Sequence, residues 1–151
     1  MNDEKIMKAA LKEAKKAEIY DEVPIGAVVV YQDKIIARAF NKKESTKKAT
    51  AHAEVLAIEK ANKKIGDWRL ENCTLYVTVE PCLMCAGAII QSRIKRVVYG
   101  ASDSKFGAME SVVKSFESPG WNHYPDITSG VQAEECGEII RRYFTKKRNN
   151  K

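Results

Sequence analysis

The sequence predicts an α/β fold of three layers, a mixed β-sheet held between helices. Three observations carry this. Residues 25–31 are an apolar run rich in β-branched side chains. They are followed by the short turn Gln32-Asp33 and a second strand at 34–40, which together read as an antiparallel hairpin. A strand–helix–strand pattern spans residues 73–100, and such a unit needs parallel strands joined by a right-handed crossover. Helical patterns at both ends of the chain supply further covering layers.

In chain order, Ile6, Ala10, Ala14 and Ala17 recur at helical spacing behind Asp3 and Glu4, which predicts a helix over 3–19. Pro24 stops it ahead of the hairpin. Residues 41–48 form a polar loop holding Lys42, Lys43, Lys47 and Lys48. A second helix is expected from about residue 51 to 64 with Thr50 as its N-cap. Residues 66–72 connect to a strand at 73–79. Pro81 suits the first position of a third helix, which runs to about Gln91 and is apolar almost all round, so it should be buried. A strand at 96–100 follows, then a short helix near 109–116, a brief strand at 126–128 and a last helix from about 132 to 147. There are no internal repeats and no composition break, so residues 1–151 read as one domain with a basic tail from about 141.

The chain carries a net charge of +6. Residues 141–151 hold six of the 26 basic residues and no acid, and the remaining 20 balance the 20 acids. A basic helix end of this kind points to a polyanion partner, and equally suits a solvated helix terminus. No apolar run approaches the length of a membrane span, and Met1-Asn2-Asp3-Glu4-Lys5 does not open a signal peptide. The expected compartment is therefore the cytoplasm, where the cysteines stay reduced and a Cys-x-x-Cys pair serves a metal or redox chemistry.

Two stretches carry the chemistry, Thr50-Ala51-His52-Ala53-Glu54 and Glu80-Pro81-Cys82-Leu83-Met84-Cys85. Cys82 and Cys85 are three apart at a helix start, so both sulfurs can reach one ion. His52 and Glu54 are two apart and can share a site only off the end of their helix. His52, Cys82 and Cys85 make three ligands, the number that leaves a catalytic zinc one place for water. Glu54 beside that water would act as general acid and base. Cys73 and Cys136 read as small apolar fillers and His123 as a surface residue. A redox pair is the rival reading of Cys82 and Cys85 taken alone.

The chain resembles the bacterial tRNA-specific adenosine deaminases, a branch of the cytidine deaminase-like zinc enzymes. The zinc motifs belong to all of them. The branch is marked by Val23-Pro24-Ile25-Gly26-Ala27-Val28, Asn41, Leu75-Tyr76-Val77-Thr78-Val79-Glu80-Pro81-Cys82, Met84-Cys85-Ala86-Gly87-Ala88, Ser92-Arg93-Ile94, Val97-Val98-Tyr99-Gly100-Ala101, Asn122-His123 and Ile127-Thr128. The resemblance implies a five-stranded mixed sheet, a homodimer, and hydrolysis of adenosine to inosine at the wobble position of a tRNA anticodon. It makes His52, Cys82 and Cys85 the zinc ligands and Glu54 the proton shuttle. Asn41 would bond the target nucleoside, Val23, Ala53 and Val79 would wall the pocket, and Asp103, Lys105 and Phe144 would line the anticodon loop. The tail cations and the four loop lysines would contact phosphates. One departure is Glu110, where the family pattern has glycine, and a glycine of positive φ there would put the Lys105 loop in a different shape. Two readings compete with this one: a zinc deaminase of a free base or nucleotide, and a zinc-stabilised RNA-binding module without catalysis.

Overall fold

The computed structural model describes residues 2–150. Its elements are α1 (Asp3–Ile19), β1 (Gly26–Tyr31), β2 (Lys34–Phe40), α2 (Lys43–Thr46), α3 (Ala53–Ile65), β3 (Cys73–Val79), α4 (Leu83–Gln91), β4 (Arg96–Ala101), β5 (Asp126–Thr128) and α5 (Ala133–Asn149), with a 3-10 turn at Ser115–Glu117. One sheet runs in the order β2-β1-β3-β4-β5. β1 pairs antiparallel with β2 and β3, whereas β3, β4 and β5 are parallel. Four strands therefore share a direction and β1 alone opposes them. The segments leaving β2 and β3 emerge at the same sheet edge as the segment entering β1.

The pleat sorts the core into two faces. Ala27, Val29, Leu75, Val77, Val97 and Tyr99 meet α3 and α4 on one side. Val28, Val30, Tyr76 and Val98 meet α1 and α5 on the other. Both predicted helical layers are thus in place. In the hairpin turn Gln32 and Asp33 both have positive φ, 50° and 59°, the geometry whose twist matches that of the flanking strands. Gly26 lets α1 lie directly on the sheet, since a Cβ there would stand 2.1 Å from the Ala10 carbonyl oxygen.

Several boundaries differ from the sequence reading. The second predicted helix starts at Ala53, with His52 rather than Thr50 at the N-cap, because His52 keeps an extended backbone, φ −78° and ψ 150°. Cys82, not Pro81, precedes the first helical residue of α4, while the Pro81 carbonyl accepts the Ala108 N–H. The polar loop at 41–48 contains the single turn α2. The helix expected near 109–116 is absent. The Val112 and Val113 N–H groups both turn back to the Gly107 carbonyl, the Met109, Glu110 and Ser111 amides bond the buried Glu80 carboxylate, and only the 3-10 turn remains helical. Finally, α4 is buried on one face alone. Cys85, Ala86 and Ile89 are inside, but Leu83 is 61% exposed, because among the described residues nothing covers that side.

The start of α1 is pinned to the sheet. Asp3 takes a bidentate pair from Arg96 at 2.6 and 3.0 Å and the Tyr76 hydroxyl at 2.6 Å. The Arg96 guanidinium, with Tyr76, holds the Asp3 carboxyl below its ordinary range. A depressed folded pKa contributes stability above the unfolded value of about 3.9 and loses it as pH falls through the folded value. Asp3→Asn should therefore cost about 1 kcal/mol at neutral pH and progressively less below about pH 4, read by urea unfolding at several pH values.

Candidate metal centre

Two helix starts converge at the edge where β2 and β3 end. His52 is the N-cap of α3 and Cys82 the N-cap of α4, and neither side chain makes a cap hydrogen bond. Caps are normally short oxygen-bearing residues that bond back to their own helix. Here the two side chains turn to each other. Cys82 Sγ lies 3.6 Å from His52 Nδ1, Cys85 Sγ lies 3.5 Å from the same atom, and the sulfurs are 3.7 Å apart. The extended His52 backbone also settles how residues two apart share a site, since His52 stands ahead of the helix and Glu54 within its first turn.

This triangle can hold a metal ion. Zinc bonds of about 2.3 Å to sulfur and 2.0–2.1 Å to nitrogen, at tetrahedral angles, put sulfurs about 3.8 Å apart and sulfur about 3.6 Å from nitrogen. The three distances match one face of that tetrahedron. A disulfide would need the sulfurs near 2.05 Å, so the redox-pair reading is not the state seen. Cys85 donates its S–H to Cys82, which brings the Cys82 thiol down to about 4 and drives the Cys85 thiol up. The hydrogen bond to Cys82 likewise raises His52. The positive ends of two helices favour the thiolates that a bound metal requires.

Glu54 is 4% exposed, and burial pushes its carboxyl up to about 6, into the range of a group that both takes and gives protons near neutrality. Ala53, its neighbour in the chain, and Val79, at the end of β3, are buried, and Val23 is half-buried. Asn41 is buried, but its amide is already engaged. Nδ2 donates to the Val23 carbonyl and Oδ1 accepts the Lys43 N–H, leaving one N–H for a ligand. Asp103 accepts the backbone N–H groups of Lys105 and Phe106, and Lys105 is exposed. Phe144 is exposed on α5, edge-on to Tyr143 at 5.3 Å between centroids. Among the described residues His123 stands apart from the metal cluster and bonds the Ile94 carbonyl. Cys73 and Cys136 are buried, and burial raises their thiols to about 11 and about 12, as small core fillers.

Two carboxylates that sequence reasoning left without a role organise the surroundings. Glu80, 3% exposed, accepts the N–H groups of Asp103, Met109, Glu110 and Ser111 and the Ser111 hydroxyl. Burial alone would raise its pKa, but these donors outweigh it and lower the pKa. Gly107 is required there, because a Cβ would stand 2.5 Å from the Glu80 carboxyl. Glu22 is fully buried and accepts the Glu44 and Ser45 N–H groups at 3.0 and 2.6 Å, closing the turn α2. Its neighbours Asp21 and Val23 hold Lys147 and Asn41. The one available sequence signal was an acid placed beside apolar motif residues in each case. Glu110 needs no correction to the loop. It is not among the residues of positive φ, and its carboxylate accepts the Tyr99 hydroxyl at 2.5 Å.

The MafB19-like deaminase family model matches residues 1–148. The tRNA-specific adenosine deaminase of Bacillus subtilis strain 168 is 50% identical over 149 residues, 99% of this chain and 92% of that one. The chain belongs to the tRNA-specific adenosine deaminase family. The Haemophilus influenzae member is 49% identical over 150 residues, 99% of this chain and 87% of its own. A structure solved in studies of A-to-I editing by tRNA:A34 deaminases at the wobble position of transfer RNA superposes with a TM-score of 0.86. It is 48% identical and covers 88% of this chain and 96% of that one. A guanine deaminase from Bacillus subtilis is more distant, 33% identical with a TM-score of 0.66 over 99% and 95% of the two chains. These likenesses fix the five-stranded deaminase fold.

Glu80→Gln should lower the unfolding free energy by about 2–3 kcal/mol, since a neutral amide cannot accept all these donors. Hydrogen exchange at Met109, Glu110 and Ser111 should accelerate while the cysteine–histidine triangle still takes up metal.

Proposed function

We propose that this chain, as one domain over residues 1–151, hydrolytically deaminates adenosine to inosine at the wobble position of a tRNA anticodon. The observation that carries the reading is the three-ligand triangle of His52, Cys82 and Cys85 with a buried Glu54 in the adjoining helical turn. The family to which the chain belongs supplies the substrate. The ion is zinc, which when bound supplies a nucleophilic water at neutral pH by lowering that water's pKa to about 7.

The residues of the chain do the rest. Glu54 takes a proton from the attacking water and delivers it to N1 of adenine, which makes C6 electrophilic. Oxygen adds at C6, the C6–N bond breaks, and Glu54 returns a proton so that the amino group leaves as ammonia. One water is consumed and one ammonia released. The free N–H of Asn41 bonds the nucleoside, and Val23, Ala53 and Val79 enclose the base, which a single-stranded loop yields more cheaply than a duplex. Asp103, Lys105 and Phe144 meet the flanking nucleotides.

The tail is less free than its charge suggests. Lys147 pairs with Asp21 at 2.6 Å, and Arg141 and Arg142 both reach Glu138, at 3.1 and 4.0 Å. Among the described residues Arg148 bonds only the Thr145 hydroxyl and Lys146 acts on Asp21 without an ion-pair contact, so the tail's phosphate contacts rest on these two and on exposed faces of the others. A homodimer is supported by the uncovered apolar face of α4, where Leu83 and Met84 adjoin Cys82. Among the described residues no helix is long and apolar enough to cross a membrane, and a tRNA substrate supports a cytoplasmic location.

Glu54→Ala should leave zinc at one ion per chain and the fold intact while lowering kcat by about a thousandfold on an anticodon stem-loop. Removing the ion by chelation should abolish inosine formation, and added zinc should restore it. Free adenosine, cytidine and guanine should remain unchanged in parallel assays; turnover of any of these with none on the stem-loop would assign another deaminase chemistry.

A further inference from the structure

The sheet edge opposite the metal centre carries a second concave site. A cavity of about 460 Å³ is lined by Arg69, Glu71, Asn72, Arg93, Lys95 and His123. These residues precede β3, β4 and β5, whereas Cys82 and Cys85 follow β3. β3 is seven residues long, so at about 3.3 Å per residue roughly 20 Å separates the two sites.

The cavity is built rather than incidental. Its two loops are clamped together, Leu70 N–H to the Ser92 carbonyl at 2.7 Å and Lys95 N–H to the Cys73 carbonyl at 3.0 Å. Asn72 and Arg93 both have left-handed backbones, φ 68° and 62°. Arg93 stands just past the C-cap of α4, in the left-handed position that glycine fills with least strain. His123 is fixed through Nε2–H to the Ile94 carbonyl.

Its charge is unbalanced. Among the described residues Arg93 and Lys95 pair with no acid, and Arg69 has only an exposed contact to Asp67 at 3.5 Å. Lys63 and Lys64, in the last turn of α3, lie a few residues before Arg69. In the cavity lining three cations, Arg69, Arg93 and Lys95, thus stand with one acid, Glu71, so the body of the chain is not evenly neutral. Arg69 stacks over Trp68 at 4.4 Å, and the Trp68 ring is half exposed. Guanidinium forks beside an ammonium suit phosphate oxygens, and an exposed ring beside them suits sugar and base faces.

We propose that this cavity binds backbone phosphates of the RNA substrate, in the stem that flanks the loop being deaminated. It rests on the reading of the chain as an RNA deaminase. The separation is too large for a nucleotide next to the target base and about the width of a duplex.

The test is a double variant, Arg93→Asn with Lys95→Gln. Asparagine tolerates the left-handed backbone, so the fold is kept, as thermal melting and zinc content would verify. Affinity is measured across a salt series for a stem-loop RNA and for its single-stranded loop fragment. The expected result is a stem-loop Kd about tenfold weaker, a log–log salt slope shallower by about 2, and unchanged affinity for the loop fragment. Unchanged stem-loop affinity and slope would overturn the proposal, as would an equal loss on the loop fragment. Tight binding of inorganic phosphate that the variant abolishes, with RNA affinity unaltered, would also overturn it in favour of a small-anion site. Inosine formation by the unsubstituted chain is read separately. RNA binding with the expected dependence but no inosine would uphold the cavity and defeat the function proposed above.

Discussion

The meeting of two helix starts at one sheet edge is the constraint on which the rest depends. His52 and Cys82 occupy cap positions and leave the capping bond unmade. That costs each helix about 1 kcal/mol of cap stabilisation. In return it frees a nitrogen and a sulfur to stand 3.6 Å apart, with Cys85 one helical turn further on. The topology makes the meeting possible. Because β1 opposes the other four strands, the exits of β2 and β3 and the entrance to β1 all fall on this edge. A sheet with β1 parallel to β3 would carry both hairpin ends, Val23 and Asn41, to the edge opposite Cys82.

Around that edge, order is imposed by buried carboxylates that accept backbone N–H groups. Glu80 gathers a loop of irregular chain and Glu22 closes a single helical turn. Charge-assisted hydrogen bonds to amides are strong and directional, so each acid converts a flexible segment into a fixed wall without regular secondary structure. Both sit next to residues of the site: Glu80 two before Cys82, Glu22 one before Val23. Metal ligands, pocket wall and loop position are thereby coupled through the covalent chain. A change in either acid is expected to reach the substrate side before it reaches the metal.

The sheet and most helices were legible because their signals are local. An unbroken apolar run, a two-residue polar turn and helical spacing each report on neighbours a few residues away. Their limits in the structure agree with the pattern to one or two residues for β1, β2, β3, β5, α1 and α5. The metal triangle was legible because motif spacing encodes geometry. What was not legible came from distant partners. Ser111 is 31 residues from Glu80 and Glu44 is 22 from Glu22, and no local pattern announces either bond. In place of the expected helix at 109–116 stands a turn closed on the Gly107 carbonyl and anchored to Glu80, and that distant anchor is not visible in the local spacing. Thr50 looked the better cap by residue type, yet the cap is His52, whose side chain is directed to the sulfurs.

The mistaken burial of α4 is the most informative of these differences. An all-round apolar helix was read as one covered on every side by its own chain. Instead Leu83 and Met84 lie open beside Cys82, on a nine-residue helix whose other face carries Cys85, the proposed metal ligand. Apolar surface left exposed next to a catalytic turn carries a cost in water unless another surface covers it. The same helix thus has two tasks, presenting thiolates inward and an apolar face outward. Any body that covers the outer face rigidifies the turn that carries the thiolates. Oligomeric state and metal affinity are for that reason expected to move together, and the physical link between them is the short span from Cys82 to Cys85.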